Sequence, residues 1–482
     1  MEPATVARYF FRSVLVLVLL NLLVKPAWIF GVDRQVQVLA GYEAYGRYFS
    51  YFSFTTIFNI LADAGITLYV QQRVAGRLQS QARWLPQIVR YKLLLSLGYA
   101  VVCGALGFLL GLTDAGLLLP LLLLQVLLSW IAFVRAVLAA RQQFIKSSLL
   151  SVLDKLLLVI PAGFYLYTAS APALSMYAFA WWQVGAAALA LAAGALLLHF
   201  YKVTASDSAT RLPTLQEIMG DSLPFAAVVL AMFVHSRADA VLLNLLPGPA
   251  EQAGQYAAMY RFVDAATVLS YLAAGFLLSF WSRHLSNRAL IADTVNKMFR
   301  MLMAGALLAG VLFFFYSVPL QQWLYQRPET QSAAVLQWGM LLLMPAFLID
   351  IFGTLLTANR QLKTYLYITL LCVVLNILGN VVLIPRLHAL GATLTALGTQ
   401  TIMAACLLHV CYRRWRLVPN AASVRRVALL AALLVLLALL LRHTTLGVLP
   451  QIAILVGGWM AATFALQLIA PGWFIRWQRQ TQ

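Results

Sequence analysis

A chain of 482 residues that is 62% hydrophobic and 10% charged, with a mean hydropathy of +0.85, is not a soluble globular protein, in which about a quarter of residues carry charge. Its net charge of +19 sits mainly in short segments between apolar runs. That pattern excludes nucleic acid as a partner and matches the loops of a membrane protein. The four cysteines form neither a CxxC pair nor a secreted disulfide framework.

Apolar runs of roughly twenty residues, each able to cross about 30 Å of hydrocarbon, recur from end to end. They predict an all-α polytopic membrane protein of about 14 transmembrane helices. The spans fall at 12–32, 47–70, 92–112, 117–140, 147–168, 174–199, 222–246, 254–281, 298–318, 333–357, 364–384, 390–411, 426–443 and 450–470. The first run follows Arg8 and Arg12 as a signal peptide would. It is too long for one and lacks a small-residue cleavage site, so it reads as the first helix.

Basic residues orient the spans. With the N-terminus inside, about 25 of the 34 Lys and Arg residues are cytoplasmic, about 6 external and about 3 within spans. The inner loops hold Arg73, Arg77, Arg83, Arg90 and Lys92, then Arg283, Arg288, Lys297 and Arg300, then Arg413, Arg414, Arg416, Arg425 and Arg426. Both termini are expected in the cytoplasm, and the chain in the inner (plasma) membrane.

Two stretches repeat. Gly41-Tyr42-Glu43-Ala44-Tyr45-Gly46-Arg47-Tyr48 introduces the second span, and Gly248-Pro249-Ala250-Glu251-Gln252-Ala253-Gly254-Gln255-Tyr256 the eighth. Ala140-Arg141-Gln142-Gln143-Phe144-Ile145-Lys146 follows the fourth, and Ala358-Asn359-Arg360-Gln361-Leu362-Lys363 the tenth. Both pairs are six helices apart. An even offset predicts two parallel-repeat six-helix lobes, at 1–200 and 222–412, related by an axis along the membrane normal. Residues 201–221 are expected to form a cytoplasmic linker, with a short surface helix suggested by Pro213 and by Leu212, Leu215, Ile218 and Met219 on one face. Residues 413–482 add two C-terminal helices.

These elements resemble the bacterial polysaccharide flippases of the multidrug/oligosaccharidyl-lipid/polysaccharide superfamily. The Gly-x-Glu-x-Tyr-Gly entry at Gly41–Gly46 is similar to the family's N-terminal signature, and Asp63-Ala64-Gly65 to its Asp-x-Gly element. Leu223-Pro224 with Arg237-Ala238-Asp239, and Gly254 through Arg261, resemble its seventh and eighth spans. Asn376, Asn380, Ile384-Pro385-Arg386 and Leu390-Gly391-Ala392 resemble its eleventh and twelfth. The resemblance covers roughly residues 10–415. It implies a flippase that moves polyprenyl-pyrophosphate-linked oligosaccharide repeat units from the cytoplasmic to the outer leaflet by alternating access. The pathway implied is surface polysaccharide synthesis, such as the O-antigen of lipopolysaccharide, capsule or exopolysaccharide. The implied partners are membrane lipids, a coupling proton or sodium ion, and the polysaccharide polymerase machinery; no cofactor or metal is implied.

Ionisable groups deep in apolar spans are the candidate site, because a lipid-facing charge at mid-helix costs about 2.5–3.5 kcal/mol. At about 1.5 Å per residue, Lys25 lies roughly 6 Å, Arg237 roughly 5 Å and Arg261 roughly 9 Å outward of the middle of its span. The expectation is a cationic cavity that holds pyrophosphate. Each cation has a second reading. Lys25, before Pro26, either enters the cavity or snorkels to the interface. Arg261 either binds substrate or neutralises Asp264, three residues on. His235 and Asp239 form either a relay or a packing contact. Asp63 and Asp350 are candidates for a gate or for ion coupling. Asp154 and Lys155 are adjacent and are not expected to face each other. Trp181, Trp182, Trp281, Trp323 and Trp473 read as an aromatic belt.

No Walker A, HExxH or GxSxG sequence occurs. Asp33 and Glu43 are the acids expected in the first outer loop, so a membrane glycosyltransferase or polymerase is disfavoured and the chain is not expected to be an enzyme. The nearer alternatives are a drug or organic-cation antiporter of the same superfamily and a peptidoglycan-lipid flippase.

Overall fold

The computed structural model describes residues 17, 19–73, 81–168, 174–199, 214–326 and 330–469, and among these it is helical without a strand. The first helical run, α1 (residues 19–26), reaches Pro26 and passes into a π-helical turn at Ala27–Asp33. A proline has no N–H and its ring crowds the carbonyl four residues back. The ladder therefore slips by one residue, and Arg34 N–H bonds to Ile29 O. Helix α2 (Arg34–Ile57) follows directly and breaks at Gly41, whose φ of 81° favours glycine. The first outer segment is thus helical on both sides of one glycine. Asp33, expected in a loop, is fully buried and accepts a 2.6 Å hydrogen bond from Tyr45 Oη.

A 3-10 turn at Phe58–Ala62 ends α2, and α3 (Ile66–Arg73) completes the second span after the Asp63-Ala64-Gly65 turn, where Ala64 and Gly65 have positive φ. There follow α4 (Gln81–Leu109), α5 (Ala115–Ala140), α6 (Phe144–Thr168), α7 (Met176–His199), α8 (Leu215–Leu245) and α9 (Gln252–Arg283). Next come α10 (Arg288–Tyr325), α11 (Thr330–Gly339), α12 (Leu343–Ala358), α13 (Leu362–Trp415), α14 (Ala421–Arg442) and α15 (Val448–Ala465).

Eleven of these helical stretches are long and apolar enough to cross a membrane. At 54 residues α13 would run about 80 Å at 1.5 Å per residue, and it turns at His388 (φ 54°, ψ −131°), so it supplies two spans. The broken pairs α1 with its π-turn and α2 with α3 supply two more. The chain is an all-α polytopic membrane protein of about 14 helices, as its hydropathy predicts.

Sequence and structure differ in three local ways. Helix α8 is continuous from a capping box in which Thr214 and Glu217 bond each other's backbone N–H groups, so residues 215–219 belong to the helix that carries the seventh span, Leu223–Leu245, and are not a separate helix. Residues 200–213, with Leu212 and Pro213, lie outside the described part, as do Arg77 and Trp473. Trp281 is fully buried, its indole N–H donated to Thr294 Oγ1 at 2.8 Å, and does not belong to an interfacial belt. Lys155 pairs with its neighbour Asp154 at 3.3 Å, because its long side chain can curl back. Its ammonium also lies 5.0 Å from the centre of the Trp28 ring.

The chain divides into two compact units, 1–257 with 380–388, and 258–379 with 389–482. In the first, α5 packs on α6 and α7, and α2 on α8. In the second, α10 packs on α12, α14 and α15. Leu430, Leu434, Ala438 and Leu441 form one buried face of α14 against Ala304, Leu307 and Val311 of α10. Such spacing is that of one helix face.

The shorter sequence echo is also a structural one. Gln142 (φ 60°) and Arg360 (φ 56°) hold the same left-handed position after their helices. The closing bonds match as well: Arg141 N to Val137 O and Gln143 N to Leu138 O in one, Asn359 N to Leu355 O and Gln361 N to Leu356 O in the other. Both are glycine-free versions of the bonded helix stop that usually employs glycine.

Candidate functional site

The charged groups within the spans fall into several local arrangements. In the first unit Lys25 ends α1 and is half-buried, while Arg237 is half-buried on α8. Trp28, two residues past Pro26, stacks on Phe179 with ring centres 5.9 Å apart. The turn that follows Lys25 is thereby fixed against α7.

On α8, Asp239 is buried and accepts hydrogen bonds from Tyr256 Oη at 2.9 Å and from Asn380 Nδ2 at 2.6 Å. Three elements, α8, α9 and α13, meet at this carboxylate. A buried anion needs such donors, since an unsatisfied one carries a large desolvation cost. Removing the hydroxyl in Tyr256→Phe is expected to cost about 1.5–3 kcal/mol, read as a lower unfolding midpoint in detergent with the oligomeric state unchanged. His235, one turn earlier, is buried, and its Nε2 has no hydrogen-bond partner among the described residues.

The two glycines that the longer echo aligns, Gly46 and Gly254, lie backbone to backbone. A Cβ on Gly46 would fall on Gly254 and Ala253, and one on Gly254 would fall on Tyr42. Gln37 Nε2 crosses the same seam to Gly254 O at 2.9 Å. Two acid–tyrosine pairs lie next to these glycines in sequence: Asp33 with Tyr45, just before Gly46, and Asp239 with Tyr256, two residues after Gly254. Each begins beside its own Gly-x-Tyr entry.

Asp63 is held differently. Its carboxylate accepts from Thr67 N at 3.1 Å and Thr67 Oγ1 at 2.5 Å, which caps α3, and it pairs with Lys92 Nζ at 2.7 Å. Lys92, assigned by its neighbours to a basic loop, is instead fully buried in α4. It also donates to Ser129 Oγ at 2.9 Å and lies 5.8 Å and 5.7 Å from the rings of Trp130 and Phe133. The only sequence signal is that the apolar run of α4 starts at the very next residue, Leu93.

In the second unit Arg261 and Asp264 pair across one turn of α9 at 3.7 Å. Asp350 accepts a 2.5 Å hydrogen bond from Ser270 Oγ, linking α12 to α9. Asn376 and Thr399 meet at 3.5 Å between the two arms of α13. Asn376 and Asn380, one turn apart, therefore face different partners.

The family model described as polysaccharide biosynthesis protein matches residues 10–276. The chain belongs to this family. A search of curated proteins found no match. Among solved structures it is similar to the lipid II flippase MurJ in an inward closed conformation, at 13% identity and a TM-score of 0.66, over 95% of this chain and 98% of that one. A mutant of the Vibrio cholerae MATE transporter VcmN matches at 15% identity and a TM-score of 0.58, over 86% of this chain and 98% of that one. A multidrug/oligosaccharidyl-lipid/polysaccharide superfamily transporter from Pyrococcus furiosus with a binding pocket of reversed polarity matches at 13% identity and a TM-score of 0.54, over 86% of this chain and 96% of that one. These likenesses establish a shared fold. The protein is a multi-pass membrane member of a polysaccharide biosynthesis family, with the fold of this superfamily of transporters.

Proposed function

We propose that the chain flips polyprenyl-pyrophosphate-linked oligosaccharide repeat units across the inner membrane for surface polysaccharide synthesis, by alternating access of two six-helix lobes. The observation that carries this reading is a set of three cations, Lys25, Arg237 and Arg261, placed within apolar spans of a chain from a polysaccharide biosynthesis family. A multiply charged phosphate is the chemistry such groups recognise, and guanidinium forks suit phosphate oxygens. Arg261 stands 3.7 Å from Asp264, near the outer limit of an ion pair.

The remaining residues then take supporting roles. Asp63 secures the inner part of the second span through Lys92. Asp350 and Asp264 are candidates for the coupling ion, with His235 and Asp239 as a second pair. An inside-negative potential favours export of a polyanion by about 2.3 kcal/mol per charge per 100 mV. The lipid anchor leaves the sugar in water and the pyrophosphate at the cation layer.

In proteoliposomes, Lys25→Ala and Arg261→Ala are each expected to slow flipping of a fluorescent polyprenyl-pyrophosphate sugar by about 10–100-fold, the scale of a lost hydrogen bond between charged groups. Unimpaired flipping in both variants rules out the cationic site.

A further inference from the structure

A second cationic site lies away from these spans' centres. A cleft of about 360 Å³, within the range of small-ligand sites, opens between the start of α10 and the start of α14 in the second unit. Its lining includes Asp293, Asn296, Arg300, Asn420, Ser423 and Arg426. Two guanidinium groups from different helices therefore share one small space. Arg300 is braced by backbone oxygens, Nε on Asn296 O at 3.3 Å and Nη1 on Gln467 O at 3.5 Å. Arg426 is half-buried and makes no hydrogen bond or ion pair among the described residues. The one acid of the lining, Asp293, pairs with Lys297 at 2.5 Å and also attracts Arg300.

The cleft wall is built, not loose. Asn420 caps α14 by accepting from Ser423 N at 2.8 Å, and its own N–H is fixed by the buried Asn296 Oδ1 at 2.8 Å. The positive end of a 22-residue helix is thereby aimed at the same space as the two arginines. The lining holds two guanidinium groups against one carboxylate, and that excess of positive charge is relieved by an anion.

Depth identifies the anion. Helix α10 has 38 residues and would span about 57 Å, far more than the roughly 30 Å of hydrocarbon. Its apolar run begins at Met301, immediately after Arg300, and that of α14 begins at Val427, immediately after Arg426. Both guanidinium groups thus stand where hydrocarbon gives way to headgroups. Below them Leu429, Leu433, Leu436 and Leu440 form an exposed stripe on α14. We propose that the cleft seats the phosphate of an anionic membrane phospholipid, whose acyl chains lie along this stripe.

The test uses the full chain purified in a mild detergent, with bound lipid read by native mass spectrometry. Phosphatidylglycerol is expected to be retained over phosphatidylcholine. Arg426→Gln is expected to weaken that retention about tenfold, Arg426→Lys to keep most of it, and the exposed neighbour Arg425→Gln to leave it unchanged. Equal retention in wild type and a correctly folded Arg426→Gln overturns the proposal. So does binding of inorganic phosphate that Arg426→Gln abolishes, without preference for phosphatidylglycerol, because the ligand is then a soluble anion.

Discussion

Gly254→Ala is expected to disfavour the arrangement seen here by about 1–3 kcal/mol, the usual cost of forcing a methyl into a packed seam, or about 5–150-fold in population. The neighbouring atoms belong to the backbone of Tyr42, so no rotamer change relieves the overlap. Gly46→Ala should act alike, because its methyl meets the backbone of Ala253 and Gly254. A cysteine at Ser50, fully buried one turn along α2 from Gly46, reports the opening. With the four native cysteines replaced, a soluble maleimide should label Ser50→Cys slowly alone and at least several-fold faster when Gly254→Ala is added. Unchanged labelling would mean that the seam is not a closing contact. In a transporter that must alternate, the same substitution should also slow turnover.

The second large effect belongs to Lys92→Met. A buried ion pair broken on one side leaves an uncompensated partner, which costs about 3–5 kcal/mol. Here Asp63, Ser129 and the carbonyl of Ala62, 3.4 Å from Nζ, all lose the same donor. The unfolding midpoint in detergent should fall sharply. Adding Asp63→Asn to Lys92→Met should recover part of the loss, because the double variant no longer carries a lone carboxylate. A double variant no better than Lys92→Met would show that the cation–aromatic contacts, not the ion pair, dominate.

Much of the fold could be read from the sequence because hydrocarbon thickness dictates helix length and apolar composition. That demand alone predicts an all-helical chain of about 14 spans, which the structure has. The breaks were legible only where a residue announces them. Pro26 and Gly41 do so, and Pro385 stands three residues before the turn at His388, which falls between the spans expected at 364–384 and 390–411. Local hydropathy also misplaced Lys92, since a lysine after a run of arginines looks like a loop residue. Its partner Asp63 is 29 positions away, and a pairing across that distance leaves no local trace. The same holds for Asp239 and Asn380, 141 positions apart. By contrast, the Gly-x-Tyr echo was visible as text, and its two glycines turned out to pack on one another. Repetition in sequence pointed to a contact that neither copy specifies alone.

The central claim concerns cargo, and one transport measurement addresses it most directly. The purified chain is reconstituted into liposomes carrying a fluorescent polyprenyl-pyrophosphate sugar, and its transfer between leaflets is followed by quenching from outside. Movement that depends on the protein, and is outcompeted by unlabelled polyprenyl-pyrophosphate sugar but not by organic cations, is the predicted result. Protein-dependent transport of organic cations with the lipid-linked sugar left in its original leaflet would contradict it.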